Sequence, residues 1–135
     1  MDEERVSRYR DKISIITKRR DNISSWIRDG DEKSTLAVYK AYQEMIEAFT
    51  DIFAMILKDM GDVVEDDYTN IEKLRERGLL DEEQVGVMKE SNGLRNRLVH
   101  DYNGLEKEIA IESIERTNSK VTEVLEVIRG WIRKQ

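Results

Sequence analysis

An all-α fold, arranged as an antiparallel bundle of four long helices and one short one, is what this sequence predicts, and three observations predict it. Proline is absent from all 135 residues, so nothing in the chain forces a helix to break. Charged residues make up 39% of the composition, enough to solvate one face of each long helix. Apolar residues recur three and four apart over successive segments, the period of an amphipathic helix rather than the alternation of a strand. At this length a single core closes without covalent staples, and residues 1–135 read as one domain.

The first segment, from about Asp2 to Arg28, repeats Val6, Tyr9, Ile13, Ile16, Ile23 and Ile27 along one stripe, interrupted by Arg20. Asp29-Gly30-Asp31 supplies a turn, with glycine tolerating the left-handed backbone and Asp31 placed to accept from the free amides of the next helix. The second segment, about Glu32 to Met60, carries two adjacent stripes, one through Leu36, Tyr42, Phe49 and Phe53, the other through Val38, Met45 and Ile52. So wide an apolar surface marks it as the central helix, and a second protomer is one way to cover it.

Gly61 to Tyr68 is acidic and without long helical period, which predicts a loop. Thr69-Asn70-Ile71-Glu72 has the capping-box pattern, predicting a short helix from there to about Arg77, stopped by Gly78. Asp81 is the expected N-cap of a fourth helix, with Glu82 and Glu83 favourable at its positive end. After Asn103-Gly104 a final helix is expected over roughly Glu106 to Arg133, with Ile114, Val121, Leu125, Ile128 and Ile132 on one side.

Composition excludes several classes of function. Without cysteine there is neither a disulfide framework nor a thiolate metal site. No apolar run approaches the ~18 residues that span a bilayer, and the start Met1-Asp2-Glu3-Glu4 is unlike a secretion signal, so a cytoplasmic protein without membrane partners is expected. The formal charge of −6 opposes broad attraction to nucleic acid, leaving room only for a local basic site.

One stretch concentrates reactive side chains: Leu94-Arg95-Asn96-Arg97-Leu98-Val99-His100-Asp101-Tyr102, which holds the only histidine. Histidine exchanges protons near neutral pH, and an arginine fork binds phosphate oxygens. Five helical steps rotate by 500°, so Arg95 and His100 lie about 140° apart on a regular helix, while Asn96 and His100 share a face and Arg95, Val99 and Tyr102 share another. A joint site therefore needs a distorted helix end or a second copy of the motif across a two-fold dimer. If RNA lay in that cleft, His100 could take the proton of a 2′-hydroxyl while arginine stabilised the charge developing on phosphorus, with no metal required. Local charge for RNA would come from Lys89, Arg95 and Arg97, and no aromatic-rich surface for stacking bases is visible. Taken alone, Arg-x4-His is a weak signal, and a lone helical histidine is most often a surface or structural residue.

The residues Arg95-Asn96-x-x-x-His100-x-Tyr102, flanked by Leu94, Leu98 and Val99 and preceded by Gly78-Leu79-Leu80, resemble the HEPN superfamily and within it the HepT-like toxins of HepT–MntA toxin–antitoxin pairs. That resemblance implies a helical homodimer acting as a metal-independent endoribonuclease without a cofactor. It implies Arg95 and His100 as the catalytic pair, Asn96 as a polar helper, and Tyr102 as the residue AMPylated by a minimal nucleotidyltransferase antitoxin, while Arg97 and Lys89 are the phosphate contacts that local charge offers. A competing expectation is a non-catalytic helical dimer that binds a nucleotidyltransferase or a nucleotide. A bundle whose stripes merely build a core is the third.

Overall fold

The computed structural model describes residues 1–135 apart from the side chain of Tyr102, so the expected modification site lies outside the described residues. The elements are α1 (Glu3–Trp26), α2 (Glu32–Asp59), α3 (Asp67–Glu76), α4 (Glu82–His100) and α5 (Lys107–Arg133), with a 3-10 turn at Tyr102–Gly104 between the last two. Among the described residues there is no strand, and no helix is long and apolar enough to cross a membrane.

One device starts four of the helices. Asp2, Asp31, Asp66 and Asp81 each accept a hydrogen bond from the backbone amide three residues on, satisfying a donor that the first turn leaves free. At Asp81 the cap is reciprocal: Gln84 N donates to Asp81 Oδ1 at 2.8 Å and Asp81 N donates to Gln84 Oε1 at 3.0 Å. The expected capping box of Thr69 and Glu72 does not form. Asp66 takes both the Thr69 amide and the Thr69 hydroxyl at 2.9 Å, so α3 begins at Asp67 and the predicted loop is shorter at its end. A carboxylate outcompetes a hydroxyl for those amides, and the acidic composition of the stretch concealed its helical start.

The remaining loop is held by side chains. Asn70 pairs with the backbone of Glu65 in both directions, accepting from its amide at 2.8 Å and donating to its carbonyl at 3.0 Å. Lys73 adds a hydrogen bond to the Val63 carbonyl at 2.8 Å, so α3 is anchored where it leaves the acidic segment.

Packing makes α2 the centre of the molecule, against α1, α3 and α4, while α5 lies on α4 and closes against α1. The α1–α2 pair is antiparallel, as a ladder of ion pairs records: Arg5 with Asp59 at 2.9 Å, Lys12 with Asp51 at 2.7 Å and Arg19 with Glu44 at 2.6 Å. Tyr9, Tyr42, Phe49 and Phe53 are the largest buried side chains of the core, and both apolar stripes of α2 are largely covered within one protomer. The breadth of that surface therefore does not itself demand a partner. Leu36 is an exception at 46% exposure, lining a shallow groove with Tyr39 and Leu98 at the end of the bundle where α4 terminates. Arg20, the interruption in the α1 stripe, donates to the Thr122 hydroxyl of α5 at 3.3 Å.

Candidate active site at the end of α4

Helix α4 ends at His100. The Asp101 amide still donates to the Arg97 carbonyl at 2.8 Å, but Asp101 has φ −153° and ψ 43° and turns the chain out of the helix. Gly104 completes the bend, since a Cβ there would stand 2.8 Å from both carboxylate oxygens of Asp101. Because α4 stops at His100, the helical rotation counted from Arg95 does not run on to position 102, whose side chain lies outside the described residues.

Arg95 and His100 both belong to α4, so their separation of about 140° stands. Arg95 lies on the inward side, with its side chain 16% exposed, whereas His100 is exposed at the helix end. Asn96 is half-buried and Arg97 is exposed. One protomer thus places the expected catalytic pair on different sides of one helix and does not converge them.

The surroundings of Arg95 contain residues that sequence reasoning missed. Its Nη2 donates to Asp67 Oδ2 at 3.0 Å and to Asn92 Oδ1 at 3.2 Å. Its Nη1 stands 3.9 Å from Glu47 Oε1, an ion pair beyond hydrogen-bond length. Its Nε is buried without a partner. The guanidinium is therefore fixed along one edge while donors on Nη1 remain uncommitted to a close acceptor, an arrangement suited to gripping a phosphate oxygen. Asn92, one turn before Arg95, was legible from its spacing, but nothing local links Arg95 to Asp67 or Glu47.

Lys89, expected as a phosphate contact, pairs with Glu72 of α3. Hydrogen bonds from Lys89 and then Arg75 hold the Glu72 carboxyl below its ordinary range. Lys89, Gly93 and Arg97 stand at successive four-residue steps and line a groove of about 350 Å³ between α4 and the start of α5, with Leu94, Leu105 and Ile109. Glu90 seals the far wall, taking Arg116 Nη1 at 2.7 Å, Arg116 Nη2 at 2.6 Å and the Ser113 hydroxyl at 2.6 Å. The Arg116 hydrogen bonds hold the Glu90 carboxyl below its usual range despite partial burial.

Comparison with known proteins bears on both fold and family. A candidate RNase of Archaeoglobus fulgidus is 37% identical over 130 residues, covering 96% of this chain and 97% of the relative. A solved toxin–antitoxin structure with AMP-PNP superimposes with a TM-score of 0.83 at 22% identity, over 95% of this chain and 99% of that one. A tri-AMPylated HEPN toxin from Shewanella oneidensis, in complex with its MNT antitoxin, gives a TM-score of 0.83 at 20% identity, over 96% of this chain and 99% of the other. These two likenesses establish the all-α HEPN-like fold. With residues 7–128 matching the family described as Ribonuclease HepT-like, the chain belongs to the HepT-like family, as the motif around Arg95 and His100 had suggested.

Proposed function

We propose that this protein is an endoribonuclease toxin of a toxin–antitoxin pair, whose site is completed by two copies of α4 across a two-fold dimer. The observation that carries the reading is the half-restrained guanidinium of Arg95, on the same helix as the exposed imidazole of His100, in a chain of this family. His100 accepts the proton of a ribose 2′-hydroxyl, whose oxygen attacks the adjacent phosphorus. The bond from phosphorus to the 5′-oxygen breaks, that oxygen takes up a proton, and the ends are a 2′,3′-cyclic phosphate and a 5′-hydroxyl. Arg95 stabilises the charge that accumulates on the phosphoryl oxygens, and Asn96 orients the imidazole or a phosphate oxygen. Arg97 and Lys89 contact neighbouring phosphates.

A dimer is supported by the apolar residues left uncovered near the motif, Leu36 at 46% and Val99 at 43% exposure. A minimal nucleotidyltransferase antitoxin regulates the site by transferring AMP to Tyr102, adding bulk and negative charge where RNA enters. The toxin–antitoxin pairing and AMPylation named for the two similar structures support this half of the reading.

The test is RNA cleavage by the unmodified protein in chelator. Cutting that persists in both His100→Ala and Arg95→Ala would remove these residues from the mechanism. A second reading, a non-catalytic dimer that binds a nucleotidyltransferase, draws on the pairing of Arg95 with Asp67, which offsets the charge a phosphate would seek. Failure of the wild-type protein to cut varied RNAs, with the partner still bound, would favour that reading.

A further inference from the structure

Tyr68 falls in the stretch expected to be a loop, yet it is the second residue of α3 and faces the motif helix. Its neighbours on α3, Ile71 and Leu74, are fully buried, but Tyr68 is 42% exposed. Its hydroxyl comes so close to α4 that a Cβ on Gly93 would stand only 3.1 Å away. Glycine at this position therefore admits the phenol against α4, and the same residue lines the groove between α4 and α5, so Tyr68 stands beside that groove.

The placement of that groove relative to the motif is informative. Gly93 and His100 are seven residues apart, so they lie within about 20° of one meridian of α4 and about 10 Å apart along its axis. Lys89, paired with Glu72, and Arg97 stand one turn before and one turn after Gly93, and of the two carboxylates that also line the groove, Glu90 is neutralised by Arg116 while Glu106 lies at the start of α5. Leu94 and the exposed Ile109 supply apolar surface inside the groove. An exposed phenol ring, apolar walls and flanking cations together match an unpaired nucleotide: a flat base with anionic groups on either side.

We infer that Tyr68 and the Gly93 groove form a base-binding subsite for single-stranded RNA, which seats a nucleotide flanking the scissile one. This rests on the ribonuclease reading of the same site and names its substrate as unpaired RNA. Tyr68 supplies a stacking face beside the groove, the groove the space, Arg97 a phosphate contact on one side, and Lys89, once drawn from Glu72, a contact on the other. Duplex RNA, whose bases are already stacked and paired, cannot enter.

The experiment measures kcat and KM for cleavage of a short single-stranded oligoribonucleotide, with a matched series in which each nucleotide near the cleavage position is made abasic in turn. For wild-type protein, one abasic position raises KM about tenfold with little change in kcat, as lost stacking of one base requires. Tyr68→Ala raises KM by a similar factor on the intact strand and is insensitive to that abasic position. Tyr68→Phe, which keeps the ring, restores both the KM and the sensitivity. Ile109→Trp, which fills the groove, behaves like Tyr68→Ala. Unchanged KM in Tyr68→Ala, or equal loss at the abasic position in wild type and variant, overturns the subsite while cleavage itself persists. Complete absence of cleavage by wild-type protein overturns the ribonuclease reading and the subsite with it.

Discussion

Two arginine–aspartate pairs in this molecule have equally covered arginines and opposite consequences. Arg5 and Arg95 each have a side chain that is 16% exposed. At the α1–α2 seam, Arg5 donates through Nε to Asp59 at 2.9 Å and through Nη2 to the Met55 carbonyl at 3.1 Å, and stacks over Tyr9 at 5.6 Å. Tyr9 donates to the same aspartate oxygen at 2.6 Å, so that network closes on itself. At the α3–α4 corner, Arg95 spends only Nη2 at hydrogen-bond distance, and its Nε has no partner. Burial and charge pairing alone do not separate a structural pair from one proposed to serve an active site. Each guanidinium makes two of these hydrogen bonds, and what separates them is that Arg5 commits its Nε to Asp59 whereas the buried Nε of Arg95 has no acceptor.

That contrast can be broken most decisively at the motif itself. His100→Ala is expected to lower RNA cleavage about 10³-fold, within the range for loss of a general base, while stability changes by less than about 0.5 kcal/mol because the side chain is exposed. Cleavage assays paired with thermal melts check both halves. Asp67→Asn is next. Releasing the guanidinium should cost about 10²-fold in kcat through misplacement of Arg95. The equivalent change at the closed pair, Asp59→Asn, should instead cost about 2 kcal/mol of stability and leave the rate alone. Should Asp67→Asn lose stability but keep its rate, the two pairs are alike after all.

Acid sharpens the same comparison. Burial pushes the Asp59 carboxyl up, but hydrogen bonds from Arg5 and Tyr9 and the Arg5 charge outweigh it and leave the group below its ordinary range. Its contribution to stability is then fully present above the unfolded-state value of about 3.9 and is lost as pH falls through the lower folded value. The stability gap between wild type and Asp59→Asn should shrink in urea melts as pH drops from about 6 towards 3. The smallest effect concerns the start of α3, which carries Asp67. Asp66→Ala should cost about 1 kcal/mol, and Thr69→Ala roughly half as much, because Thr69 contributes a hydroxyl bond rather than the cap.

Much of this architecture was legible because local chemistry decides it. The caps at Asp31 and Asp81, the turn at Gly30 and the inward stripes of α1, α2 and α5 each follow from residues within a few positions of one another. The angle between Arg95 and His100 followed from helix period alone. The start of α3 was misread because Thr69-x-x-Glu72 satisfies a capping pattern that the nearby Asp66 also satisfies, with a stronger acceptor. The pairing of Arg95 with Asp67 was not legible, since the two are 28 residues apart and meet only once α3 has packed on α4. Tyr68 was hidden for the same reason: its partner on α4 is a glycine, which has no side chain to advertise the contact.

The order in which the chain can assemble follows from the way α5 returns to α1. The α1–α2 and α4–α5 pairs join helices adjacent in sequence, but the bond from Arg20 to Thr122 spans 102 residues and those from Asn118 to Arg20 and Ser24 span 98 and 94. Loop closure over such distances costs entropy before any contact repays it, so this seam forms late and depends on the two hairpins already in place. Arg95 can find Asp67 once α3 packs on α4, but the groove beside Gly93 has no second wall until α5 docks. Docking of α5 is therefore the step that completes the surface beside the motif helix, and weakening the distant seam with α1 would loosen that surface without touching Arg95 or its partners.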